Sequence, residues 1–157
     1  MKPFCPFTID ESLIKRKSIE FSVIGRPVAK QRPRASRRGR YITVYTPRET
    51  TNYENLIRRV YREDVGTTKL QGPLEVEVDG YFEPPKSISK KKRQAMLDGS
   101  IDHISKPDCD NLAKSCLDAL NGIAYDDDSQ INKLIVTKQY GDTAKVNIRI
   151  TERYRRT

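Results

Sequence analysis

Asp108, Asp110, Asp118, Asp126, Asp127 and Asp128 crowd a stretch in which Lys114 is the only cation. Carboxylate oxygens are hard donors. Such a set suits a divalent ion that takes few protein ligands and leaves its other positions to water and phosphate, as magnesium does. Neighbouring carboxylates repel and raise one another's pKa, a cost that the ion removes. Pro107 biases Lys106 toward extended backbone, and an extended D-x-D turns the side chains of Asp108 and Asp110 to one side. A helix from 111 to 120 sets Lys114 four residues beyond Asp110 and Asp118 four beyond that, a single stripe with the cation over the carboxylates. Asn121-Gly122 ends this helix, and the chain can then fold back to bring one or two of Asp126, Asp127 and Asp128 beside the first pair. The chemistry this supports is metal-assisted hydrolysis.

Each feature also has a plainer reading. Asp110 suits a helix N-cap, the aspartates at 126–128 suit a solvated turn, and Lys114 suits an i to i+4 ion pair worth about 0.2–0.5 kcal/mol. A calcium-binding EF-hand loop does not fit: starting it at Asp108 puts Leu112 at a ligand position, and starting it at Asp126 puts Ile131 at the required glycine. His103 has no partner that would make a nucleophilic triad. Cys5, Cys109 and Cys116 are an odd set without CxxC spacing, which excludes a disulfide framework and a zinc site and fits the reducing cytoplasm.

The rest of the 157 residues carries charge of the opposite sign. The net charge is +9. From Phe21 to Arg48 there is no acidic residue, while Arg26, Lys30, Arg32, Arg34, Arg37, Arg38, Arg40 and Arg48 are all basic. A second run follows in Lys86, Lys90, Lys91, Lys92 and Arg93. An acidic site inside a basic chain is expected where the basic surface attracts a polyanion and the carboxylates hold a metal that acts on its phosphates. No uncharged stretch approaches the roughly 20 residues of a membrane span.

These residues need elements to hold them. Positions 1–17 show no periodicity and read as an irregular extension, with one domain over 18–157. Ile19, Phe21 and Val23 alternate as a strand ending at Gly25; residues 25–40 read as an exposed loop and 41–45 as a short strand. Tyr53, Leu56, Ile57, Val60 and Tyr61 have helical spacing, with Thr46 placed to cap and Pro47 suited to the first position. Leu74, Val76 and Val78 predict another strand, stopped at Pro84-Pro85, and residues 87–97 a short basic helix. Residues 131–140 and 144–151 predict two strands in a hairpin around Gly141-Asp142. The expected architecture is a mixed α/β (α+β) single domain, a small mixed sheet flanked by helices.

The run Lys106-Pro107-Asp108-Cys109-Asp110-Asn111-Leu112-Ala113-Lys114, then Leu117-Asp118-Ala119-Leu120-Asn121-Gly122, then Asp127-Asp128-Ser129-Gln130-Ile131, resembles the RusA-like Holliday-junction resolvases, a family frequent in prophages and bacteriophages. Gly25-Arg26-Pro27-Val28-Ala29-Lys30-Gln31-Arg32-Pro33-Arg34 is similar to the basic segment of its longer members, and the likeness spans about 19–150. The resemblance implies a homodimer with two active sites that cut symmetrically related strands of a four-way DNA junction. It implies magnesium held by Asp108, Asp110 and Asp128, with Lys114 also needed for cleavage; manganese is the alternative ion, and Asp127 is expected as an outer ligand or as a residue that supports the ligands. DNA phosphates would be met by Arg26, Lys30, Arg32, Arg34, Arg37, Arg38, Lys90, Lys91, Lys92 and Lys106, with no small-molecule cofactor and no membrane. The basic insert before Lys106 is absent from the shortest members. The competing expectations are a nuclease of this fold acting on flaps or nicks, and a catalytically silent DNA-binding phage regulator.

Overall fold

Residues 74–82 alternate without a break: Leu74, Val76, Val78, Gly80 and Phe82 are buried, while Glu75, Glu77, Asp79 and Tyr81 are half-buried on the other side. In the computed structural model, which describes residues 16–153, this strand lies at the centre of the fold. The expected extension at 1–17 falls almost wholly outside the described residues, as does Cys5. In chain order the elements are β1 (Ser18–Ile24), β2 (Arg34–Arg38), β3 (Tyr41–Tyr45), α1 (Arg48–Asp64), β4 (Leu74–Phe82), α2 (Lys90–Leu97), α3 (Cys109–Leu120), β5 (Ile131–Tyr140) and β6 (Lys145–Glu152). The four-stranded sheet has the order β1-β6-β4-β5, with β4 parallel to β5 and the other pairs antiparallel. The domain is therefore mixed α+β, as its sequence pattern predicts.

A parallel pair needs a long crossover, and the chain between β4 and β5 supplies α2 and α3. Helix α3 lies against β4 and β5, and α1 lies against α3 and β1, so both cover one face of the sheet. Between them sits the core: Val23, Ile57, Tyr61, Val76, Val78, Leu112, Cys116, Leu120, Ile148 and Ile150. Burial pushes the Cys116 thiol up to about 12, which leaves it a packing residue without nucleophilic character. Gly122 has φ 77 just past α3, the left-handed geometry expected of a glycine there.

Three local expectations are corrected. Strands β5 and β6 do not form a hairpin, because β4 lies between them. A two-residue turn would hold them about 4.8 Å apart, whereas residues 141–144 carry the chain across the end of β4, where the Gly141 amide donates to Phe82 O at 3.0 Å. Residues 25–40 are not all loop, since β2 pairs with β3 about a two-residue turn opened by Gly39 at φ 64. Thr46 does not cap α1, whose N-cap position is Pro47 without a side-chain bond.

Gly80 sets how closely α3 approaches the sheet. A β-carbon there would lie 2.7 Å from Leu112 Cδ2 and 3.1 Å from Phe82 Cε2, so the first turn of α3 rests on the sheet only because no side chain intervenes. Gly80→Val is expected to lower the unfolding free energy by about 1–3 kcal/mol. A urea midpoint equal to that of the wild-type protein would show that α3 can move away from β4 without cost.

Candidate active site

The D-x-D pair straddles a helix start. Asp108 is extended (φ −70, ψ 149) at the N-cap of α3, and Asp110 lies in the helix's first turn. The expectation of one extended backbone carrying both residues is thus corrected, and so is the assignment of the cap to Asp110. The Asp108 carboxylate makes no capping bond; only its carbonyl enters the helix ladder, accepting from the Leu112 amide at 3.0 Å. Both aspartates are exposed where the free amides and the macrodipole of α3 favour negative charge.

Facing this helix end runs a strap, residues 26–31, laid across α1 and α3. The Lys30 amide donates to Asn111 O at 3.0 Å, the Ser115 hydroxyl donates to Val28 O at 2.7 Å, and Gln31 Nε2 donates to Glu49 Oε2 at 2.9 Å. The Lys30 ammonium lies 2.5 Å from Glu54 Oε1 of α1 and 2.9 Å from Asp118 Oδ2 of α3. Burial alone would lower its pKa, but the bonds and charges of Glu54 and Asp118 outweigh burial and leave it raised. The structure therefore turns Lys30 inward. Sequence reasoning missed Glu54, although an acid next to the buried positions Tyr53 and Ile57 was the available signal.

Between strap and helix end lies a groove of about 370 Å³, lined by Arg26, Gln31, Glu49, Lys106, Asp108 and Asn111 among others. Arg26 and Lys106 also line a second, adjacent groove of about 380 Å³ with Lys86, Ser105 and His103. His103 is buried, stacked on Phe82 at 4.3 Å, and its pKa is lowered by burial and by Lys138. Among the described residues its Nδ1 has no hydrogen-bond partner.

The second half of the acidic run is sorted by its partners. Asp126 pairs with Lys69 at 2.6 Å. Asp127 accepts from the amide and hydroxyl of Ser129, capping a 3-10 turn over Asp128–Gln130, and these bonds hold its carboxyl below the usual range. The Gln130 side chain completes the box by accepting from the Asp126 and Asp127 amides at 2.8 and 3.2 Å. Asp128 stays exposed, without a side-chain partner among the described residues. Beneath it the Tyr125 hydroxyl donates to Leu117 O at 2.8 Å; burial and the charges of Asp128 and Asp118 raise its pKa.

Asp108 and Asp110 do not meet Asp128 within one chain. The first turn of α3 rests over Gly80, late in β4, whereas Asp128 precedes Ile131, which pairs with Leu74 at the opposite end of β4. From Asp110 to the end of α3 is about 15 Å along the helix axis. Among the described residues no three His, Cys, Asp or Glu side chains converge on one metal position. The D-x-D pair by itself still fits magnesium, offering exposed carboxylates with no internal partners among the described residues, Asp108 lining a groove with room for water and phosphate. Lys114 is exposed and pairs with neither Asp110 nor Asp118.

Of the basic residues, Arg26, Arg32, Arg34, Arg37, Arg38 and Lys106 are exposed. Lys90, Lys91 and Lys92 form the first turn of α2 with no acidic residue beside them. Cations there oppose the helix dipole at about 0.3–1 kcal/mol each. An anionic partner removes that penalty.

Residues 25–151 match the family profile described as Endodeoxyribonuclease RusA. The uncharacterized protein YqaN of Bacillus subtilis (strain 168) is 36% identical over 136 residues, an overlap covering 85% of this chain and 96% of that protein.

Lys30→Met should lower stability by about 1–3 kcal/mol near neutral pH, because Glu54 and Asp118 lose their shared cation. The raised pKa means that the lysine's contribution is complete below its ordinary value of 10.5 and vanishes as pH climbs past the folded value. Chemical denaturation across pH 7–11 should therefore show the two proteins converging at the alkaline end. A constant difference would place the effect in packing and not in charge.

Proposed function

The chain belongs to the RusA endodeoxyribonuclease family, and from that premise we propose that it is a magnesium-dependent homodimer that resolves four-way DNA junctions in recombination and repair. The observation that carries this reading is which carboxylates are free. Asp118 and Asp126 are held by lysines and Asp127 by Ser129, while Asp108, Asp110 and Asp128 have no internal partner among the described residues. These three are the ones the family motif designates.

Asp108 and Asp110 would hold the ion at the groove, and Asp127 would serve by fixing the turn that presents Asp128. When bound, magnesium neutralises charge on the scissile phosphate and activates the attacking water. Lys114, one turn beyond Asp110, steadies the negative charge that grows on the phosphate. Arg26 and Lys106 flank the groove where a strand would enter, and Arg32, Arg34, Arg37, Arg38 and Lys90 to Lys92 meet phosphates of the arms, positioning the substrate by shape. Lys30 contributes by holding the strap.

The distance between the ends of α3 gives the homodimer a chemical reason. Two copies of one chain can bring an α3 N-terminus and an Asp128 turn to the same place, which one copy does not do. Among the described residues no helix is long and apolar enough to cross a membrane, and a DNA substrate puts the proposed activity in the cytoplasm.

Cleavage and binding of a four-way junction, with and without magnesium, test the assignment. Asp108→Asn and Asp128→Asn should each reduce cleavage by at least about a hundredfold while junction affinity stays within a few-fold. Mixing the two variants should restore part of the activity if each site draws on both copies. Wild-type turnover in either variant at limiting magnesium would remove that residue from the site. For Lys114→Ala, kcat should fall by about 10²–10³ with little change in KM; a change confined to KM would make it an ordinary phosphate contact.

A further inference from the structure

The β2–β3 hairpin is a part of the fold that the core does not need. All ten of its strand residues are exposed, and its strands pair only with each other. Register sorts its side chains: Arg34 lies opposite Tyr45, Ser36 opposite Thr43 and Arg38 opposite Tyr41. Directly opposed residues share a face, as do alternate residues along a strand, so these six form one surface and Ala35, Arg37, Ile42 and Val44 form the other. Tyr41 is 80% exposed and Tyr45 is 47% exposed. Among the described residues neither ring contacts another ring or a cation, and neither Arg34 nor Arg38 has an ion-pair or hydrogen-bond partner.

A two-stranded hairpin on its own is marginally stable in water, so nothing in folding accounts for this array. Its chemistry is complementary to a nucleic acid whose base faces are open. Arginines attract phosphates, tyrosine rings stack on bases, and no acidic residue lies between Phe21 and Arg48 to oppose either contact. In an intact duplex the base faces are already stacked and only edges and backbone are offered. The centre of a branched DNA is where stacking is interrupted. The hairpin also continues the strap that lines the groove beside Asp108, and it reaches about 17 Å along its own strands.

We propose that the Arg34, Arg38, Tyr41 and Tyr45 face of the hairpin is a stacking platform for base faces left unstacked at the branch point of the DNA substrate. The proposal rests on the junction-resolving function above, and its test separates the two. A four-way junction carrying 2-aminopurine at the branch point is titrated with full-length protein without magnesium, beside an intact duplex and a single-stranded oligonucleotide with the same label. Wild-type protein should change the fluorescence of junction and single strand but not of duplex. Tyr41→Ala combined with Tyr45→Ala should abolish that change and weaken junction affinity by about tenfold. The double variant should keep duplex affinity, the salt dependence of binding and the thermal midpoint. The matching double Phe variant should behave as wild type.

Wild-type fluorescence and affinity in the double Ala variant would overturn the platform. Equal loss on junction and duplex would overturn it in favour of plain backbone contact. Conversion of a dimer to a monomer by the same substitutions, seen in sedimentation, would overturn it in favour of a seat for a second copy. If wild-type protein does not prefer junctions yet stacks on the single strand through these tyrosines, the platform stands and the junction reading falls.

Discussion

Three segments far apart in the chain, the strap at 26–31, helix α1 and helix α3, meet at the ammonium of Lys30. Glu54 and Asp118 would face each other across that point without it, each partly removed from water and of like charge. The lysine makes their proximity favourable, and in doing so fixes the strap against both helices. One wall of the groove beside Asp108 is that strap. The hairpin is its continuation. A cation that sequence pattern groups with the arginines expected to meet DNA therefore acts one level earlier, by holding the wall on which those arginines are carried.

Helix α3 sets the other distance that matters. It has twelve residues, begins over Gly80 and ends where the chain turns back toward Ile131. Its length keeps the D-x-D pair and Asp128 apart, and the parallel pairing of β4 with β5 dictates that they sit at opposite ends. Of the six clustered aspartates, those nearest the second end are also the most constrained. Lys69, Ser129 and Gln130 occupy the groups around Asp128 and leave its carboxylate without a partner. The turn is thus ordered around one exposed carboxylate that has no partner among the described residues.

The sequence made much of this legible, and the misses share a cause. Periodicity located β1, β4, α1 and α3 because each buries one face, and burial is what periodicity records. It located β5 and β6 as strands yet paired them wrongly, because alternation says which face is buried and nothing about which strand lies alongside. Proximity in sequence favoured a hairpin; the fully alternating β4, able to pair on both edges, took the place between them. Strand β2 was hidden for the opposite reason, since Arg34 to Arg38 buries nothing and only Gly39 marks the turn. The D-x-D motif names two carboxylate donors and not their geometry, because residue types name donors while a helix boundary between Asp108 and Asp110 decides where they point.

Charge is arranged with the same division of labour. On the sheet face away from the helices, Arg149 bridges Glu20 and Glu77 at 3.1 and 3.2 Å, and Lys133 meets Glu75 at 3.2 Å. Exposed pairs of this kind contribute about 0–1 kcal/mol each, so their chief effect is to leave that face nearly neutral. The lysines of α2 and the arginines of the hairpin have no such compensation, and of the acids around the strap Glu54 and Asp118 are committed to Lys30 while Glu49 accepts from Gln31. Among the described residues, the cations without such compensation thus include those of the hairpin and of the first turn of α2. A polyanion drawn to those cations would meet the unpaired carboxylates of the D-x-D pair, of which Asp108 lines the groove beside Arg26 and Lys106. Those carboxylates would repel its phosphates unless a divalent cation lay between them, and that requirement links the basic surface to the acidic motif.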